Sequence, residues 1–202
     1  MILSAKFEET DSQFTAEFGE GLQVNTDTKQ VDSIIDGSVT DITTNATKIA
    51  AYVFYNQGIK SITMPNVTTI GDYAFSGCSN LNMDALPKSL FTIGSYGFRS
   101  CSSLTIETLP RSLINIFAYA FSYCSALKIK EIPSSVNYIG SRAFLNCQGL
   151  ESITFKGKPS SLASTAFSNC TNLTEINVPW AEGEVADAPW GATNATINYN
   201  YK

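Results

Sequence analysis

The cysteines stand at Cys78, Cys101, Cys124, Cys147 and Cys170, each 23 residues after the one before. The residues around them keep the same period. Three places before each cysteine is a phenylalanine (Phe75, Phe98, Phe121, Phe144, Phe167), and three places after it a leucine (Leu81, Leu104, Leu127, Leu150, Leu173). A small residue precedes every one of those phenylalanines (Ala74, Gly97, Ala120, Ala143, Ala166). Ile-Gly recurs as Ile70-Gly71, Ile93-Gly94 and Ile139-Gly140, and Pro65, Pro87, Pro110, Pro133 and Pro179 close most units. A shorter first copy runs through Ile49, Phe54, Gln57, Ile59, Ile62 and Pro65, with Gln57 in the cysteine place. A polar residue there suits a terminal unit, which has no preceding neighbour to bury against.

One such unit cannot bury its Phe, Cys, Leu and Ile alone, whereas stacked copies bury them in continuous columns. The repeat therefore predicts a solenoid of about six units, of 21–23 residues each, with the phenylalanines as its spine. The chain has 202 residues, of which 44% are hydrophobic and 15% charged, enough for a core that does not depend on disulfides.

These residues resemble the BspA-like leucine-rich repeats, whose unit reads roughly I-G-x-x-A-F-x-x-C-x-x-L-x-x-I-x-[IL]-P. The segments from Cys147 to Phe155 and from Cys170 to Pro179 follow it closely. The resemblance implies an α/β solenoid: a curved stack with a short parallel strand per unit and a helical or irregular turn carrying the phenylalanine. It implies an interaction module of surface-antigen or adhesin type and no single activity. Three units depart from the pattern, because their middle apolar residue comes one place early, as in Leu81-Asn82-Met83, Leu104-Thr105-Ile106 and Leu127-Lys128-Ile129. Side chains alternate along a strand, so this shift changes which residues face outward, and strand register is least defined there.

The chain divides into an N-terminal segment over 1–30, the repeat array over 31–178 and a C-terminal cap over 179–202. Leu3, Ala5 and Phe7, then Phe14, Ala16 and Phe18, alternate with polar residues around a turn-like Glu9-Thr10-Asp11-Ser12, which predicts a β-hairpin. The stretch Phe14-Thr15-Ala16-Glu17-Phe18-Gly19-Glu20 also resembles the leading segment of phage or prophage structural proteins. Trp180 and Trp190 are expected to cover the last unit, since a solenoid end needs a cap.

The chain has no histidine, which removes His-based triads, His general bases and most zinc catalytic sites. The cysteines share one phase of the repeat and form no C-x-x-C, so they are expected to be buried, unbridged and inert. Glu8, Glu9 and Asp11 lack the spacing of a calcium loop, and neither glycine-rich phosphate motif is present, so no metal and no cofactor is expected. Net charge is −5, distributed as −6 over 1–36, +3 over 37–178 and −2 over 179–202. The bases of the middle are scattered, and nucleic-acid binding is not expected. Neither membrane insertion nor a Sec signal is read in the chain as given.

Two sets of residues are candidates for contact. Asp84, Glu107, Lys128, Lys130, Glu151 and Glu175 are expected to point outward from the strand face, the concave side that solenoids commonly use for binding, with opposite charges adjacent from coil to coil. Tyr52, Tyr73, Tyr96 and Tyr119 stand two places before successive phenylalanines and should align as an aromatic strip. That strip either covers the phenylalanine column or contacts a glycan or protein. The sequence thus points to a non-enzymatic module, monomeric in isolation, that binds a protein or glycan at a cell surface or extracellularly. The alternative is a structural or receptor-binding component of a phage or prophage particle.

Overall fold

In the computed structural model, the structure describes residues 22–34 and 37–202. The hairpin expected between Leu3 and Phe18, and the acidic group Glu8, Glu9 and Asp11, lie outside these. The described strands are β1 (Leu22–Asn25), β2 (Gln30–Ile34), β3 (Asp41–Thr43), β4 (Lys48–Ile49), β5 (Ser61–Thr63), β6 (Thr69–Ile70) and β7 (Thr92–Ile93). After them come β8 (Asn115–Ile116), β9 (Glu131–Ile132), β10 (Tyr138–Ile139), β11 (Ser152–Phe155), β12 (Ser161–Leu162), β13 (Glu175–Asn177) and β14 (Thr196–Asn198).

They form a coil-upon-coil stack with sheets on two sides. On the first side β1-β2-β4-β6-β7-β8-β10-β12 make an eight-stranded sheet, parallel except for the antiparallel β1–β2 hairpin. Its register keeps Ile49, Ile70, Ile93, Ile116, Ile139 and Leu162 directly over one another. The boundary expected after residue 30 falls inside β2, which joins the hairpin to the stack by pairing with β4.

The second side, which carries the leucines, is interrupted. β3 pairs with β5, and β9-β11-β13-β14 form a separate four-stranded sheet. Between them, the units of Leu81 and Leu104 carry no leucine-side strand among the described residues, only a bridge from Thr108 to Glu131. These are units with the early apolar residue. Met83 and Leu86 are buried and so are Ile106 and Leu109, which leaves two consecutive exposed residues between each pair, Asp84-Ala85 and Glu107-Thr108. A strand alternates inward and outward, so two outward residues in succession interrupt the ladder; in the Leu127 unit, where Ile129 is also early and Lys130-Glu131 are both exposed, pairing resumes only at Glu131, as β9. β5 instead keeps Ile62 buried between the outward Ser61 and Thr63, and β13 buries Ile176 after the half-buried Glu175.

Of the two conformations that the resemblance allows for the phenylalanine segment, the described residues take the irregular one, and they contain no α-helix. The reason is visible in the dihedral angles. Tyr52, Tyr73, Tyr96, Tyr119 and Arg142 have φ between 55° and 63°, and a second positive-φ residue follows four places later at Asn56, Gly77, Ser100, Tyr123 and Asn146. This alternation turns the N–H groups of Tyr73, Phe75 and Gly77 away from their own turn and toward the carbonyls of Ser95, Gly97 and Arg99 in the next coil, at 2.7–2.9 Å. The N–H of Ser76 and that of Cys78 bond locally, to Tyr73 and Phe75. A helix would place all of them within one segment.

The core is a set of columns. Phe54, Phe75, Phe98, Phe121, Phe144 and Phe167 are fully buried and stack with centroid separations of 5.0–5.5 Å. The five cysteines are buried and free. Each thiol donates to the phenylalanine carbonyl of the preceding coil: Cys78 to Phe54, Cys101 to Phe75, Cys124 to Phe98, Cys147 to Phe121 and Cys170 to Phe144, at 2.9–3.1 Å. Burial pushes the thiols up, Cys78 and Cys124 to about 12. The thiolate is the reactive form, so these side chains pack as small hydrophobes.

At the C-terminal end β14 pairs in parallel on β13, and Trp180 and Trp190 are buried against Phe155, at 5.3 and 6.2 Å between ring centroids. The Trp190 indole N–H donates to the Ala186 carbonyl at 2.8 Å.

Candidate functional site

The leucine side presents the charged residues singled out in the sequence. Asp84, Glu107, Lys128, Lys130 and Glu151 are exposed, and Glu175, in β13, is half-buried. The 23-residue period puts Lys130 beside Glu107, with Nζ 2.8 Å from Oε2, and a similar interval puts Lys156 beside Glu131 at 2.9 Å. The hydrogen bond and positive charge of Lys130 hold the Glu107 carboxyl below its usual range, and Glu107 in turn raises Lys130.

Glu107, Lys128, Lys130 and Glu151 line one depression of about 340 Å³, with Ile129, Gly149 and Ser152 completing it. It lies beside the break in the ladder, where the strands lose their alternation. Asp84 is not part of this depression. Glu175 is also separate and accepts a hydrogen bond from Asn198 Nδ2 at 2.8 Å. Asn177, two places after Glu175, is buried: its Nδ2 donates to Thr154 Oγ1 at 3.3 Å, and its Oδ1 accepts from Asn198 Nδ2 at 2.8 Å. The following coil supplies Asn198 and thereby extends the ladder that encloses Asn177.

The tyrosines align along the turn side. Tyr52, Tyr73, Tyr96 and Tyr119 are nearly coplanar in succession, with centroids 4.8, 4.4 and 4.7 Å apart and interplanar angles of 6–10°. At the far end Arg142 closes the stack: its Cζ is 5.7 Å from the Tyr119 ring centroid, and its Nη1 donates to the Tyr119 hydroxyl at 2.5 Å. At the near end Tyr55 meets Tyr52 and Tyr73 edge-on. The inner rings therefore use both faces on one another and leave edges and hydroxyls to solvent. Burial between neighbours, and then the charges of Tyr73 and Tyr119 themselves, raise the Tyr96 hydroxyl above its ordinary value.

Sequence reading missed two groups of exposed aromatics and aliphatics. Tyr55 and Tyr123 extend the turn-side aromatic surface, with Arg99 6.0 Å from the Tyr123 ring centroid. Phe91, Ile114 and Phe117 are exposed along the eight-stranded side, and Phe117 meets Tyr138 at 5.3 Å. The available signal was their phase: Phe91 and Ile114 each stand two places before a buried isoleucine, where Asn137 and Ser160 stand in later units. Among the described residues no group of three or more Cys, Asp and Glu side chains is placed to hold a metal, and no helix is long and apolar enough to cross a membrane.

The repeat geometry agrees with a direct comparison of families. The BspA type leucine rich repeat region matches residues 47–179 in six copies. The chain belongs to the BspA-type leucine-rich repeat family. Regions of this family are protein-interaction repeat modules and are typically non-enzymatic. Among solved structures, the chain is similar to a leucine rich repeat protein of T. pallidum, at 27% identity and a TM-score of 0.66, over 80% of this chain and 84% of that one. It also shares its fold with a pneumococcal vaccine antigen, at 18% identity and a TM-score of 0.58, covering 91% of this chain and 47% of that protein. No curated protein matches the chain.

Proposed function

We propose that this chain is a non-catalytic recognition module of surface-antigen or adhesin type, which contacts a protein or glycan through its leucine-side face. The observation that carries this reading is the depression lined by Glu107, Lys128, Lys130 and Glu151, where both signs of charge stand exposed on a rigid stack. Such a surface selects a partner by charge complementarity, and its loss affects association more than folding. The tyrosine strip is a stabilising seam in this reading, because a sugar platform needs open ring faces and the inner rings cover one another. Placement at a cell surface is supported by the family resemblance. The particle-component alternative has no support from the comparisons.

The test is a screen of the full chain against immobilised glycans and extracellular proteins, repeated with two double variants. Lys128→Glu with Lys130→Glu should remove the binding seen for the parent and leave the melting temperature within a degree or two. Tyr96→Ala with Tyr119→Ala should lower the melting temperature and retain binding. The opposite pattern would assign contact to the tyrosine strip.

A further inference from the structure

We propose that a second depression, at the edge where the prolines close the units, is a binding site for an acidic saccharide, with Arg111 as its anion-binding side chain. The depression has a volume of about 460 Å³, a size suited to a small ligand, and Thr108, Arg111, Glu131, Ser134, Ser135 and Lys156 line it. It shares no lining residue with the leucine-side depression and does not depend on the contact face proposed above.

Two independent irregularities coincide there. The first is a break in a serine ladder. Ser89 Oγ donates to the carbonyls of Pro65 and Val67 at 3.1 and 3.0 Å, and Ser112 Oγ, 23 residues on, to those of Lys88 and Leu90 at 2.7 Å each. Ser135 holds the same phase one coil later, where the corresponding acceptors are the carbonyls of Arg111 and Leu113. Its Oγ is buried and has no hydrogen-bond partner among the described residues. A buried hydroxyl ordinarily finds a partner, and a small turn of the Ser135 side chain toward the depression it lines would bring its hydroxyl to a ligand oxygen.

The second is an unmatched cation. Arg111 is exposed and forms no ion pair with any described residue, whereas Glu131 on the same rim is taken by Lys156 at 2.9 Å. The rim carries one net positive charge. A guanidinium presents a planar fork that fits a carboxylate or sulfate. Around it stand three hydroxyls, from Thr108, Ser134 and Ser135, and the Glu131 carboxylate, which accepts from a ligand hydroxyl. Leu109 and Pro133 complete the lining with apolar surface, against which the C–H face of a pyranose can lie. An anion flanked by several hydroxyls is the chemistry of a uronic acid or a sulfated sugar.

The full chain is titrated with D-glucuronate, glucose sulfate, D-glucose, inorganic sulfate and a short Glu-rich peptide, and amide NMR shifts are followed. Both acidic sugars should saturate, with shifts centred on residues 108–111, 131–135 and 156, and glucose should bind at least about ten-fold more weakly. Arg111→Ala should weaken both acidic sugars about ten-fold at an unchanged melting temperature, with Ser135→Ala a smaller loss. Failure of either sugar to saturate, shifts centred elsewhere, or undiminished binding by Arg111→Ala overturns the proposal. Inorganic sulfate binding as tightly as the sugars, or the peptide binding more tightly, overturns the saccharide assignment in favour of a simple anion site or a peptide site.

Discussion

The two sides of this stack are built from the same number of residues per coil, yet one is a continuous eight-stranded sheet and the other is broken in the middle. On the continuous side the inward isoleucine keeps its phase from Ile70 through Ile139, and every coil adds two residues to the ladder. On the leucine side the coil length is unchanged, but Met83 and Ile106 arrive one place early and their units carry no strand, only single backbone bonds such as that from Asn82 N–H to the Lys60 carbonyl, while the Ile129 unit, early as well, pairs only from Glu131 onward. Phase within the coil, more than its length, decides where a strand ladder runs between neighbouring coils. The broken side also holds the exposed charges Glu107, Lys128, Lys130 and Glu151.

The comparison can be attacked first through the element both sides share. Phe98 is fully buried between Phe75 and Phe121, at 5.1 and 5.5 Å. Phe98→Ala should cost about 3–5 kcal/mol in chemical denaturation and weaken amide protection on both sides together. Loss confined to one side would show that the two fold separately.

Per residue, the thiol column gives the next largest effect. The folded thiols titrate above the ordinary value of 9.0, with Cys124 at about 12 and Cys170 at about 11. Above pH 9 the unfolded chain therefore releases protons that the folded chain retains. Stability is full below about pH 9 and falls as pH rises toward 11 to 12, by roughly 1 kcal/mol per thiol per pH unit. Urea midpoints at pH 8 and pH 10 measure this, and equal midpoints would contradict the burial of the column.

A subtler test addresses the break itself. Hydrogen exchange should be slow at Ile93, Ile116 and Ile139 and faster across 83–86 and 105–109. Exchanging the order of Met83 and Asp84, as Met83→Asp with Asp84→Met, restores the phase of β5 and should slow exchange across 83–85. The smallest effect is expected from Lys130→Ala, which removes an exposed pair with Glu107 and should leave the melting temperature within experimental scatter.

The columns of Phe, Cys, Leu and Ile were legible in the sequence because a fixed period admits one way of burying them. The conformation of the turns was only half legible. Asn56, Gly77, Asn146 and Asn169 are residue types that accept positive φ, but Tyr73, Tyr96 and Tyr119 have no such preference and are held there by the hydrogen bonds their N–H groups donate to carbonyls of the next coil. At the leucine-side depression, the interval of 23 was enough to bring Lys130 to Glu107, whereas the separation of Asp84 and Glu175 from that group depends on packing. The edge around Arg111 could not be read at all. Ser89, Ser112 and Ser135 look alike in the sequence, and only the hydrogen-bond geometry tells the last from the others.

The cysteine-to-phenylalanine contacts run in one sense along the whole stack, each coil leaning on the one before it. A unit inserted anywhere within the array inherits an acceptor from its predecessor and offers one to its successor. Such a protein can therefore grow or shrink by whole coils without rewriting its interior, while its two ends stay chemically distinct.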